Sequence, residues 1–75
     1  MNKRRRKRLH SITGELRNCA DNLETIKEEE DEARENMQGN LQSTERYSIS
    51  EEFSDILDTA ITEINGVIET IESLL

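Results

Sequence analysis

The chain has 75 residues, of which 36% are charged, and it contains one tyrosine, one phenylalanine and no tryptophan or proline. This composition excludes a β-sandwich or barrel, and the length allows one domain with a marginal hydrophobic core. A single cysteine excludes an intramolecular disulfide, and the Cys/His spacing of a zinc site is absent. No apolar run approaches the roughly 18 residues of a membrane span, and no apolar signal-peptide segment follows the basic start. We therefore expect a cytoplasmic protein that uses no cofactor and no membrane.

The net charge of −7 conceals a segregation along the chain. Residues 1–8 form a basic arm, and from Tyr47 onward there is no Lys or Arg. Cations at a helix N-terminus oppose the helix dipole, so the arm is expected to be frayed unless an anionic group neutralises it. It carries six cations, which are candidates for binding nucleic acid: Lys3, Arg4, Arg5, Arg6, Lys7 and Arg8.

Residues 9–75 are predicted to form a single helical-hairpin domain. Its first helix is predicted over residues 4–37 and so begins within the basic arm. Apolar residues recur there at steps of three and four, which is the heptad rhythm of a coiled coil. The predicted seam is Leu9, Ile12, Leu16, Cys19, Leu23, Ile26, Glu30, Ala33 and Met37. Cys19 is accordingly expected to be a small buried hydrophobic residue, not a nucleophile.

A loop is predicted at residues 38–43, where Gly39 and Asn40 suit a turn. The string N-M-Q-G-N-L-Q-S-T-E-R-Y at residues 36–47 resembles the central loop of small acidic helical proteins from phages and mobile elements of Gram-positive bacteria. In that group N-M-P-x-N-L-Q-x-S-E-R-Y joins two charged helices, whereas this chain has Gln38 and Thr44 in place of Pro and Ser. The resemblance implies a helical hairpin and a phage or mobile-element origin, and leaves the activity open.

The second helix is predicted over residues 44–75, with Thr44 or Ser48 as its N-cap. It carries two overlapping apolar seams, one through Phe53, Ala60, Val67 and Leu74 and the other through Ile61, Ile68 and Leu75. A short loop makes the two helices fold back antiparallel, so that Leu23 would lie opposite Ala60 and Leu9 opposite Leu74.

The first helix can cover only part of so wide an apolar face. We expect an uncovered stripe centred on Ile56, Ile61, Ile68 and Leu75. Since a lone hairpin of this size is barely stable, this stripe is expected to bind a second subunit or another partner. The fold class is therefore all-α, an antiparallel, coiled-coil-like hairpin that forms a homodimeric four-helix bundle. The predicted interface residues are Phe53, Ile56, Leu57, Ile61, Ile64, Ile68, Ile71 and Leu75.

The charged residues suggest binding and not catalysis. The carboxylates lack the Glu-x-x-His pattern of di-iron bundles, and His10 has no ligand at a suitable spacing, so no enzyme, no metal site and no small-molecule substrate is expected. The acidic surface of the second helix resembles a nucleic-acid backbone in charge, or it is simply solvated. It consists of Glu51, Asp55, Asp58, Glu69 and Glu72.

The leading hypothesis is a non-catalytic accessory protein of a phage or mobile element that binds and inhibits or modulates a host or phage protein. An anti-defence inhibitor, for example an anti-CRISPR protein, is its most concrete form. The alternatives are a nucleic-acid-associated protein that binds through the basic arm, and a structural or assembly factor.

Overall fold

The computed structural model describes residues 1–37, 39 and 44–75. Two helices, α1 over Lys3–Glu35 and α2 over Glu45–Glu72, pack against each other in an antiparallel hairpin, and no strand occurs in these residues. The hairpin is a rod whose Cα atoms extend over 60 × 15 × 11 Å. The predicted all-α hairpin is confirmed, whereas its association into a four-helix bundle stays a prediction.

Both helices begin at a side-chain cap. Asn2 Oδ1 accepts a hydrogen bond from Arg5 N at 2.9 Å, so the basic arm forms the first turns of α1 instead of a frayed segment. Thr44 Oγ1 accepts from Tyr47 N at 3.4 Å, which selects Thr44 over Ser48 as the cap of α2. Such caps contribute about 1 kcal/mol each, enough to offset part of the unfavourable charge at the start of α1. The predicted loop at 38–43 lies, apart from Gly39, outside the described residues.

The side of α1 that faces α2 is rotated from the predicted seam. The positions between the helices repeat every seven residues and are Thr13, Ala20, Lys27 and Arg34. Ile12, Cys19, Ile26 and Ala33 lie exposed instead, so their predicted place in the hairpin seam is wrong. Leu9, Leu16 and Leu23 of the same predicted seam are partly buried. The small side chains of Thr13 and Ala20 allow the helices to approach closely. The Thr13 hydroxyl is satisfied locally, because it donates to His10 O at 3.0 Å.

On α2 the second of the two predicted seams faces α1. Ile61 and Ile68 are buried, and Leu57, Ile64 and Ile71 are partly buried beside them. This corrects the expectation that α1 would leave Ile61 and Ile68 uncovered. Toward the start of α2 the side that faces α1 continues as two small serines. Ser54 lies seven residues before Ile61, Ser50 lies about one helical turn before Ser54, and both are buried.

The uncovered stripe of α2 is therefore part of the first predicted seam, in which Ala60 is partly buried. It is exposed at Phe53, Val67 and Leu74, and Ile56 beside it is 57% exposed. Ile56 and Leu75 remain exposed as the sequence indicated. Each helix thus has one side that packs within the hairpin and, beside it, an apolar stripe that the hairpin leaves exposed.

Candidate interaction surfaces

One broad side of the hairpin is an exposed apolar surface, which we call the open face. Its residues come from both helices and are Ile12, Cys19, Ile26, Phe53, Ile56, Val67 and Leu74. Ile12 and Leu74 line one shallow groove between the helices, and Ile26, Phe53 and Ile56 line a second groove nearer the loop. The two helices therefore present their unused stripes on the same side.

The open face is large relative to the interior of the hairpin. Nine large hydrophobic side chains are exposed in the described part of the chain, whereas only Ala20, Ile61 and Ile68 are buried hydrophobic residues. Single exposed hydrophobic residues are ordinary, but a contiguous stripe of them along two helices is typical of an interface.

The two ends of the open face carry opposite charge. Arg5 and Arg8 line the groove with Leu9 and Ile12 at the arm end. Glu30 lines the groove with Ile26 at the loop end. A partner that covers this surface must therefore meet cations at one end and a carboxylate at the other.

A polar cluster that the sequence did not predict joins the helices near the loop. Arg34 Nη1 donates to Ser54 Oγ at 2.8 Å and to Ser50 O at 3.2 Å, and Arg34 Nη2 donates to Asp31 Oδ1 at 2.9 Å. Ser54 Oγ in turn donates to Asp31 Oδ1 at 2.6 Å. These bonds fix the register of the hairpin, because they require Asp31 and Arg34 to lie beside Ser50 and Ser54.

The hydrogen bonds of the cluster shift the pKa values of Asp31 and Lys27. The hydrogen bond from Ser54 lowers the pKa of Asp31 below its ordinary value, and the hydrogen bond from Arg34 lowers it further. Lys27 Nζ lies 3.4 Å from Asp31 Oδ2, and this hydrogen bond raises the pKa of Lys27. The serines that interrupt the apolar seam at 50 and 54 were the available sequence signal for this cluster.

The predicted acidic surface lies on α2 and is exposed at all five positions. Glu51, Asp55, Asp58 and Glu69 occur at helical spacing on the side of α2 away from the open face. Glu72 forms an ion pair with Arg17 of α1, whose side chain is half exposed. The acidic surface is thus one solvated stripe whose last member is tied to α1.

The six cations of the basic arm are all exposed. None of them has a carboxylate within 4.0 Å in the part of the chain that the structure describes. Glu72, near the end of α2 that lies beside the arm, pairs with Arg17 and not with an arm cation. The arm cations are free to contact an anionic partner.

The residues with chemical reactivity are dispersed. His10 is exposed, and Cys19 is exposed and not buried as predicted. No group of three or more potential metal ligands occurs among residues 1–37, 39 and 44–75. Neither α1 nor α2 combines the length and apolar character needed to cross a membrane, within the same residues.

Comparison of the chain with protein-family models, with curated proteins and with solved structures gives no match.

Proposed function

We propose that this chain is a non-catalytic protein-interaction module that acts by stoichiometric binding. Its main support is the open face, where two helices present apolar stripes that the hairpin itself does not cover. Two copies that join these faces form a four-helix bundle, in which each helix also buries the apolar stripe that the hairpin leaves exposed. The bundle is a homodimer with twofold symmetry, the commonest form of small helical assembly.

The dimer leaves the acidic surface of α2 available to a second, different partner. In this proposal the module is an accessory protein of a phage or mobile element that works in the cytoplasm of a bacterial host. Its acidic surface occupies the basic cleft of a host or phage protein that handles nucleic acid, and thereby inhibits or modulates it. Anti-defence inhibition is the most concrete form of this activity.

A charge-reversal experiment tests this surface. The variant Asp55→Lys, Asp58→Lys, Glu69→Lys should lose a protein that the wild-type chain captures from host lysate, while its helicity by circular dichroism is unchanged. Duplex DNA or RNA should displace the captured protein from the wild type, because both ligands occupy the same basic cleft. Retained capture by the reversed variant would refute the acidic surface as the binding site.

A matched control distinguishes the effect of reversing this surface from the effect of changing the net charge of the chain. The variant Asp21→Lys, Glu24→Lys, Glu35→Lys makes the same change in charge on exposed positions of α1. It should keep the captured protein. Loss of capture in both variants would indicate that only the total charge matters.

A second candidate function is nucleic-acid binding by the basic arm, favoured by six exposed cations that have no carboxylate partner among the described residues. Phosphate contacts by such an arm make affinity fall steeply with salt. Deletion of residues 2–8 should then abolish a salt-sensitive mobility shift. Absence of any shift by the wild type at low salt would eliminate this candidate.

A further inference from the structure

The residues of α1 on the open face are arranged symmetrically about Cys19. Ile12 and Ile26 lie seven residues before and after it, and Arg8 and Glu30 lie eleven residues before and after it. The same helix carries its cations at residues 3–8 and an acidic run at residues 28–32. A second α1 can therefore lie antiparallel to the first with the two Cys19 residues at the same level. Apolar residues then lie opposite apolar residues, and cations lie opposite carboxylates.

We propose that two hairpins pack open face against open face with their loops at opposite ends. In this arrangement α1 of one chain runs antiparallel along α1 of the partner, and the twofold axis passes near Cys19. Ile12 packs near Ile26 of the partner subunit, and Arg5 and Arg8 lie beside Glu30 of the partner subunit. This inference rests on the dimer of the proposed function and specifies its geometry.

The charge distribution selects this arrangement over the other twofold packing. If the loops lay at the same end, the cations at residues 3–8 of both chains would share one end of the bundle and repel each other. With the loops at opposite ends, each basic arm lies beside the acidic run at residues 28–32 of the partner subunit. The arm cations, which have no carboxylate partner in the described part of their own chain, then acquire one between subunits.

The α2 helices are compatible with the same axis. The contacts of Asp31 with Ser54 and of Arg34 with Ser50 place Cys19 at about the level of Gly66 on α2. About that axis Ile56 would face Leu75 of the partner subunit, and Val67 would face Ile64 of the partner subunit.

The area is sufficient for a specific dimer. The broad side of the rod measures 60 by 15 Å between Cα atoms, which is about 900 Å². Stable interfaces cover about 800 Å² on each partner. A second copy of the chain thus fits the open face in area, in apolar pattern and in the sign of charge at both ends.

Crosslinking distinguishes the two packings. Ile12→Cys and Ile26→Cys are each made in a Cys19→Ser background, and the two positions are about 21 Å apart along α1. A short bismaleimide should crosslink an equimolar mixture of the two variants into a mixed dimer, while Ile12→Cys alone should not crosslink. Crosslinking of Ile12→Cys alone, without mixed product, would overturn the opposite-end packing yet leave the dimer intact. A monomeric wild type would refute both the dimer and this geometry.

Charge exchange tests the contact between the arm and the partner. Arg8→Glu alone or Glu30→Lys alone places like charges together twice in each dimer and should weaken self-association about tenfold. An equimolar mixture should form heterodimers of wild-type affinity, because each heterodimer restores two opposite-charge pairs. Arg8 and Glu30 lie about 33 Å apart within one chain, so recovery can arise only between chains. A mixture no tighter than either variant alone would contradict the geometry.

Discussion

Truncation of Ile56 separates the stability of the hairpin from that of the dimer. Ile56 is 57% exposed in the hairpin, so Ile56→Ala removes little that the single chain buries and should cost it less than about 0.5 kcal/mol. In the dimer the exposed half of the side chain becomes covered. Since burying a whole isoleucine contributes about 1.5–3 kcal/mol, each copy loses about 1 kcal/mol and the dimer about 2 kcal/mol. The dissociation constant should rise roughly 30-fold.

The assay is thermal unfolding followed by circular dichroism at several protein concentrations. Because dimerisation stabilises the folded chain by mass action, the wild-type Tm should increase with concentration. Ile56→Ala should lower Tm most clearly where the wild type is still dimeric and the variant is not. Thr62→Ala, exposed on the other side of α2, is the matched control and should behave as wild type. A concentration-independent wild-type Tm, with both variants alike, would refute this reasoning.

Three further predictions concern the interior of the hairpin. Ile68→Ala should destabilise the fold by about 2–4 kcal/mol in urea unfolding, because this side chain is only 4% exposed; a loss below about 0.5 kcal/mol would contradict its packing against α1. Ser54→Ala removes the hydrogen bonds of Ser54 with Arg34 and Asp31 and should lower the free energy of unfolding by about 1–2 kcal/mol in the same assay. An unchanged urea midpoint would contradict this prediction. Asp31 has a lower pKa in the hairpin than in the unfolded chain. Its contribution to the free energy of unfolding is therefore complete above the unfolded pKa of about 4, and it is lost as pH falls through the folded pKa. Asp31→Asn should therefore reduce the loss of stability on acidification through this range, and a pH profile parallel to that of wild type would exclude the effect.

Much of the fold could be predicted because heptad spacing and capping are local signals. The periodicity of Leu57, Ile64 and Ile71 indicated a helix that packs along its length, and these residues are partly buried beside α1. Thr44 was one of two expected caps, and the structure selects it. Local pattern was sufficient here because each signal involves residues within one or two helical turns.

The orientation of each helix about its axis could not be predicted in the same way. Two apolar stripes adjoin on α2, and periodicity alone does not determine which one faces the neighbouring helix. On α1 the small residues Thr13 and Ala20 are buried, whereas Ile12 and Cys19, which the periodicity favoured, are exposed. The sequence therefore led to the wrong prediction of a buried Cys19.

The polar cluster around Arg34 was missed for a different reason. The hydrogen bonds that connect α1 with α2 in this cluster join residues 16 to 23 positions apart, so they depend on the register between the helices. That register is set by three-dimensional packing between the helices. Serines within an apolar seam were a sign that a polar group lies opposite, although they do not identify it.

The mass of the wild-type chain in solution tests the association of open faces most directly. Light scattering across increasing concentrations should approach twice the chain mass of 8.7 kDa. A mass that remains at 8.7 kDa at the highest concentration would contradict the homodimer and, with it, the proposed use of the open face.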